Sequence, residues 1–323
     1  MRRYLAKGGG KAVKRLATIV LVALFVPSIC LGAAIFEKVG TVGGQFLKLA
    51  VGARAAGMGG AYVSVADDAT AVFWNPAGIA RITGNVLSIN HMMMPADITF
   101  DQAAYVFSIG FLPGALAVHA RALTMDDMPR TTVFHPYGDG TYFDAGDMAF
   151  GLSYGRSLTD KFSVGATVNI VRSGLDEYTS QSNTIDFGTI YDTGFKSIRI
   201  GMAISNAGSE MKFVEKGVKM PILFRVGMSM SLYQAGPHSV LSAAEFSHPP
   251  DNAERMNWGA EYAFQDFFFA RTGYNFNYDS DGFAFGAGFK FPVSMNSVAR
   301  LDYAYTDWQT LGGLHRLSME LSF

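Results

Sequence analysis

From about Asn85 to the C-terminus the chain repeats one pattern, with bulky apolar side chains at every second position and small, polar or charged ones between them. Phe162, Val164, Ala166, Val168 and Ile170 alternate with Ser163, Gly165, Thr167 and Asn169. Phe283, Phe285, Ala287, Phe289 and Phe291 alternate with Ala284, Gly286, Gly288 and Lys290, and the runs around Arg225 and Glu261 behave the same way. Successive side chains on a strand point to opposite faces, so a period of two makes a wall that is greasy on one side only. A sheet with a greasy outer face and a polar inner face meets lipid as a closed cylinder, because hydrocarbon tolerates no unpaired backbone N–H or C=O.

About fourteen such segments follow one another, each near the 9–11 residues that a tilted membrane strand needs. They fall near 85–93, 101–111, 114–123, 146–156, 162–173, 183–191, 197–205, 221–232, 237–247, 255–264, 268–276, 282–291, 297–305 and 314–323. The connections after even-numbered segments are short, while those at 124–145, 174–182, 206–220 and 306–313 are longer. Alternating short and long loops suit a barrel with both termini on the periplasmic side and its long loops outside. The fold class expected is therefore all-β, a transmembrane antiparallel barrel of about fourteen strands.

This register sends Arg121, Arg199, Arg225, Arg271, Arg300 and Arg316 inward, together with Asp186, Glu245, Glu261, Asp302 and Glu320. A lysine or arginine facing lipid at mid-depth costs about 2–4 kcal/mol, which enforces that direction. Inside, the charges are expected to pair with one another, as a structural lattice or as the lining of a solute path. The last strand ends in Phe323, a terminal aromatic of the kind read by the outer-membrane assembly machinery, and one more partner is outer-membrane lipid.

The head of the chain reads as an address. Arg2, Arg3, Lys7, Lys11, Lys14 and Arg15 precede an apolar run from Leu16 to Leu31 that Pro27 interrupts, and small residues follow at Gly32, Ala33 and Ala34. That is the layout of a secretory signal over residues 1–34, too short for the roughly 20 residues of a spanning helix. The single cysteine, Cys30, follows Ile29 rather than a small residue, which disfavours a lipid anchor. No cysteine-based metal site or disulfide is expected downstream. A net charge of -1 gives no field that would gather nucleic acid.

Residues 35–84 do not alternate. They are rich in Ala and Gly, with short helical patches, and are placed ahead of the first strand to fold into the lumen as a plug or hatch; residues 85–323 form the barrel. Gly57, Gly59 and Gly60 permit positive φ and close backbone approach. Asp67 or Asp68 suits a helix cap, Asn75-Pro76 suits a turn, and Arg54 is placed to meet an inward carboxylate. Phe46–Leu49, Gly52–Ala61, Ala66–Ala71 and Trp74-Asn75-Pro76-Ala77-Gly78 together resemble the opening block of the PorV/PorQ family of outer-membrane proteins. The Asn75-Pro76-Ala77 element is also similar to the long-chain fatty-acid transporters of FadL type, whose fourteen-stranded barrels carry an N-terminal hatch. The resemblance implies either passage of hydrophobic small molecules or accessory service in type IX protein secretion, with secretion proteins as partners. It marks Arg54, Gly57, Gly59, Gly60, Asp67, Asp68, Trp74, Asn75, Pro76 and Ala77 as plug and gating candidates.

Enzymatic readings find no support. Gly151-Leu152-Ser153-Tyr154-Gly155 matches G-x-S-x-G, but a nucleophile elbow needs a strand turning sharply into a helix, and Ser153 lies mid-strand. Asn277, Asp279, Asp281 and Gly282 begin like a calcium loop, yet its twelfth position is Gly288, and an Asp-Gly hairpin turn is the plainer reading. His119 and His315 fall on strands, with a surface role expected for both. No catalytic residue, cofactor or metal is expected. A soluble all-β protein such as a propeller is the remaining alternative.

Overall fold

The structure, a computed structural model, describes residues 40–323; the address segment 1–34 and Cys30 lie outside them. Fourteen antiparallel strands close into a barrel. They are β1 (Val86–Met93), β2 (Thr99–Phe107), β3 (Ala115–Thr124), β4 (Ala145–Ser157), β5 (Phe162–Leu175), β6 (Tyr178–Asp192) and β7 (Arg199–Gly208). There follow β8 (Leu223–Ala235), β9 (His238–His248), β10 (Arg255–Phe264), β11 (Phe268–Phe276), β12 (Phe283–Ser294), β13 (Ser297–Asp307) and β14 (Gly313–Ser322). Closure is by β1 on β14, from Val86 opposite Ser322 to Met93 opposite His315. Beyond the ladder, Asn85 and Phe323 exchange both backbone hydrogen bonds at 3.0 and 2.9 Å. The Phe323 ring stacks on Tyr105, which fixes the terminal residue against the seam.

The alternation explains the register, because a slip by one residue would turn every side chain to the wrong face. Ile89, Val118, Phe150, Leu152, Val168, Ile170, Phe187, Phe285 and Leu301 all stand on the outer face. Small residues, amides, hydroxyls and charges fill the inner one.

Each expected segment corresponds to one strand, with two differences. The stretch 174–182, expected as a loop, belongs to β5 and β6, which run on as a hairpin to Leu175 and Tyr178 and turn at Asp176 with φ 56°. Its Ser, Thr and Gln side chains break the greasy pattern but still support a ladder, so loss of apolar alternation marked the limit of the outer apolar face rather than the end of the strand. The length contrast between the two rims therefore rests mainly on 125–144 and 209–222, each of which carries a two-residue hairpin. The turn at 277–282 is not a tight Asp-Gly hairpin: the positive φ lies at Asn277.

We call the rim holding Val86 and Ser322 the closing rim and the opposite one the far rim. The segment before β1 runs between them through the lumen. Val42 forms a parallel bridge to Lys219 at the far rim, and Arg81 meets Asp192 at the closing rim. Between these points lie two short helices, α1 (Ala53–Gly57) and α2 (Ala71–Trp74), and 3-10 turns at Gln45–Lys48 and Pro76–Arg81. Almost every residue from Val51 to Ile79 is buried, so the barrel has a packed core supplied by this segment.

Candidate functional site: the plugged lumen

The plug's helices are short, α1 running out at Gly57–Gly60 and α2 ending at Asn75-Pro76, and the wall accommodates the plug because glycine lines the facing strands. Gly59 and Gly60 take φ of 62° and 76°, the left-handed region where a side chain is penalised. A Cβ on Gly57 would stand 3.0 Å from the Gly286 Cα. Gly165, Gly188 and Gly201 of the wall meet the Pro76 carbonyl, the Asn75 amide and the Val63 carbonyl so closely that a Cβ at any of them would overlap the plug.

Asn75 is the plug's polar pivot. Fully buried, it donates from Nδ2 to the carbonyls of Val63 (2.8 Å) and Thr189 (3.0 Å), and its Oδ1 accepts from the Ala77 N–H at 3.2 Å. Pro76 then begins the 3-10 turn, where its missing N–H costs nothing. Trp74 donates from Nε1 to the Val51 carbonyl at 2.9 Å and lies against Tyr62.

Arg54 ties the plug to β10. Its Nε and Nη2 each donate to Glu261 at 3.0 Å, a bidentate pairing, while Nη1 reaches Asp67 (2.6 Å), Tyr62 Oη (3.0 Å) and Asp68 (3.3 Å). Asp68 also accepts from the Tyr62 hydroxyl and from the Thr70 N–H, just before α2 begins, whereas Asp67 serves Arg54 alone. Around Glu261 stands an ionic lattice. Arg271 donates to Glu261 (2.6 Å) and Asp302 (2.7 Å), and Arg300 approaches both carboxylates at 3.4 and 2.9 Å.

The other inward charges do not all join this lattice, as the expectation of mutual pairing required. Glu320 accepts from the Ala69 N–H at 3.1 Å. Glu245 accepts from the backbone N–H groups of Tyr62 (2.9 Å) and Val63 (2.8 Å) and keeps only a loose contact with Arg225 at 3.6 Å. Arg121 has no ion pair within reach among the described residues; its guanidinium stands 5.8 and 5.5 Å from the Phe46 and Phe73 rings. Asp186 accepts from Asn169 (2.9 Å) and the Asn206 N–H. Arg199 binds Asp192 at 3.0 Å, beside Arg81 at the closing rim. The plug's backbone and aromatic faces, absent from a strand-by-strand reading, take the place of the missing counter-ions.

His119 departs from the expected surface role. It is buried on the inner face, 3.0 Å from Asn169 Oδ1 and edge-on to Phe73. Ser153 faces inward too and bonds Thr167 Oγ1 at 2.7 Å, not a histidine. His315 is exposed on the outer face and bonds the Tyr303 hydroxyl.

The far rim leaves space. A cavity of about 300 Å³ opens above α1 and Trp74, lined by Arg225, Arg255, Tyr278, Trp308 and Arg316 among others. Lys48 and Gln45 hold its edge by bonding Asp251 at 2.9 Å. Burial pushes the Asp251 carboxyl up, but the Gln45 amide and the Lys48 ammonium outweigh it and hold the group below the usual carboxylate range. Burial lifts the Asp281 carboxyl above that range, against the opposing pull of Arg316 and Arg255. Arg255, Lys48, Asp251 and the wall glycines were not singled out from sequence, although glycine recurring at inward positions was a readable sign of something pressed against the wall. No group of three or more His, Cys, Asp or Glu placed to hold a metal ion occurs among the described residues.

Neither a protein-family model nor a curated sequence matches the chain. Solved structures do. The CymD monoaromatic hydrocarbon channel is 14% identical with a TM-score of 0.60, over 84% of this chain and 97% of that one. The Ralstonia pickettii toluene transporter TbuX is 14% identical with a TM-score of 0.58 over the same shares. The Pseudomonas putida toluene transporter TodX is 10% identical with a TM-score of 0.56, over 89% of this chain and 98% of that one. A Pseudomonas aeruginosa FadL homologue gives 0.52. The fold is that of the FadL-type outer-membrane barrel.

Proposed function

We propose that this chain is an outer-membrane barrel that passes hydrophobic small molecules, in the manner of FadL-type transporters and with a PorV/PorQ-type plug. The observation that carries the reading is the plug itself. Residues 42–81 thread the lumen from rim to rim, and the space left open is a cavity at the far rim. A barrel that only anchored other proteins would need no such stopper. Support comes from the fold shared with a monoaromatic hydrocarbon channel and two toluene transporters. The PorV/PorQ part rests on the block from Phe46 to Gly78, and the outer-membrane location on the greasy outer wall and the terminal Phe323.

A solute settling at the far rim descends only when the plug moves. The contacts that must yield are Ala53 N–H to Ser318 Oγ (2.7 Å), Arg54 to Glu261, and Asn75 to the Thr189 carbonyl. Cross-linking the plug to the wall tests this. Because the chain holds one cysteine, Cys30, an Ala53→Cys/Ser318→Cys pair reports cleanly. The oxidised pair in proteoliposomes is expected to take up toluene or a medium-chain fatty acid several-fold more slowly, with recovery on reduction. Uptake that ignores the cross-link, or that empty vesicles match, overturns the reading.

A further inference from the structure

We propose that the far-rim cavity is a binding site for a compact aromatic carboxylate, with Arg316 and Arg255 as its counter-ions and Trp74, Tyr278 and Trp308 flanking its ring. The inference deepens the transport reading and rests on it only for what happens after binding. Three observations carry it.

The first is a surplus of unused donors. Arg316 is 5% exposed on the inner face of β14, and its one hydrogen bond runs from Nη1 to Thr306 Oγ1 at 2.8 Å. Its Nε is buried without a partner, and it makes no ion pair among the described residues. The Arg255 side chain, at the start of β10, makes no hydrogen bond or ion pair among the described residues; its buried Nε is unpartnered and its guanidinium lies 4.3 Å from the centre of the Tyr278 ring. Arg225 adds a third donor, an unpartnered Nη1, on a guanidinium 5.1 Å from the Trp74 ring. Buried cationic donors without acceptors are costly, and a ligand that supplies the acceptors recovers that cost.

The second concerns the acids nearby, which leave the arginines without a paired carboxylate. Glu245 spends one oxygen on Tyr62 N–H and Val63 N–H. Asp281 shares the lining and keeps one buried oxygen unpartnered, but it forms no ion pair with either arginine, and burial favours its neutral form against their pull. Asp279 is exposed. The lining therefore faces a ligand with positive charge to spare.

The third is shape. A planar guanidinium fork matches a carboxylate and also stacks on aromatic faces. The cavity lies at the small end of the range for ligand pockets, and three aromatic side chains edge it. A ring bearing one carboxylate uses both features; a neutral arene leaves the arginines unanswered, and acetate leaves the rings unused.

Two of the three tryptophans, Trp74 and Trp308, line the cavity, so fluorescence of the detergent-solubilised protein reports its occupation. Titrations would use benzoate, toluene, acetate, decanoate and inorganic phosphate. Benzoate is expected to bind saturably, on the order of tenfold or more tighter than any of the other four. Arg316→Gln and Arg255→Gln are each expected to weaken benzoate by roughly tenfold while leaving toluene unchanged. Arg255 is half-buried at the rim, so its variant keeps the test alive should Arg316→Gln fail to fold. Toluene or decanoate binding as tightly as benzoate, phosphate or acetate competing on equal terms, or benzoate binding indifferent to Arg255→Gln each overturns the proposal. Benzoate binding that survives while all uptake assays fail would instead break the transport reading and leave this site standing.

Discussion

The two halves of the inner wall hold the same plug by different physics. On strands β3 to β8 the wall is mostly neutral. Ser153 bonds Thr167, His119 bonds Asn169, and Gly165, Gly188 and Gly201 admit the plug's backbone to contact distance. The arginines there rest on rings, Arg121 between Phe46 and Phe73 and Arg225 over Trp74. On β10 to β13 the wall is ionic, with Glu261 and Asp302 shared among Arg54, Arg271 and Arg300. The neutral half holds by shape and tolerates no added volume. The ionic half holds by charge and tolerates no lost partner. A plug that moves must leave the second before it can slide on the first, because Arg54 is the plug's only cation in that lattice among the described residues, and its partner Glu261 is fixed to the wall by two further arginines.

The largest expected effect therefore belongs to Glu261→Gln. It removes the one carboxylate that Arg54, Arg271 and Arg300 share, leaving Asp302 to the wall and Asp67 and Asp68 to the plug, and breaking a buried charge network typically costs about 3–5 kcal/mol. Urea unfolding of the folded barrel from vesicles should show that loss, and the plug should become open to protease. A stability loss below about 1 kcal/mol, the scale of exposed pairs, would show that the lattice is wet and that the contrast between the halves is misdrawn.

The wall was legible in the sequence because its physics is local and periodic. Lipid on one side and plug on the other impose a choice at each residue, and the alternation of Phe283, Phe285 and Phe289 with Gly286 and Gly288 records it directly. Charges were placed on the inner face for the same reason. What those charges touch was not legible. Glu245 and Glu320 are satisfied by backbone N–H groups of Tyr62, Val63 and Ala69, contacts that join residues more than 180 positions apart and leave no periodic trace. The plug's block of small residues announced tight packing at Gly57, Gly59 and Gly60, but its path from far rim to closing rim is set by tertiary contacts. Ladder formation past the greasy band, as at Leu175 and Tyr178, went unseen because polar strands resemble loops when hydrophobicity is the guide.

Gly165→Ala probes the neutral half. One methyl group there would run into the Pro76 carbonyl, and neither partner is a side-chain tip that can swing away. Overpacking of this kind costs about 1–3 kcal/mol. The expected signature differs from that of Glu261→Gln. Protease sensitivity should appear near Asn75 and Pro76, with the Arg54 end of the plug still protected. Cleavage spread evenly along the plug would mean that the halves act as one unit.

The smallest effect is expected at the far-rim tether, where Lys48 and Gln45 hold Asp251. Its folded carboxyl titrates below its unfolded value, so the tether stabilises fully above the unfolded value of about 4 and is lost as pH falls through the lower folded one. Asp251→Asn should thus lower the unfolding midpoint at pH 7 by an amount worth below about 1 kcal/mol. The gap between variant and wild type should hold down to about pH 4 and close below it. A gap that stays constant to about pH 2 would trace the effect to the hydrogen bonds of Gln45, which an amide can partly keep, rather than to the charge. The mouth of the barrel would then belong with the neutral half of the wall, and charge would fasten the plug at the lattice around Glu261 and at the Arg81–Asp192 pair of the closing rim.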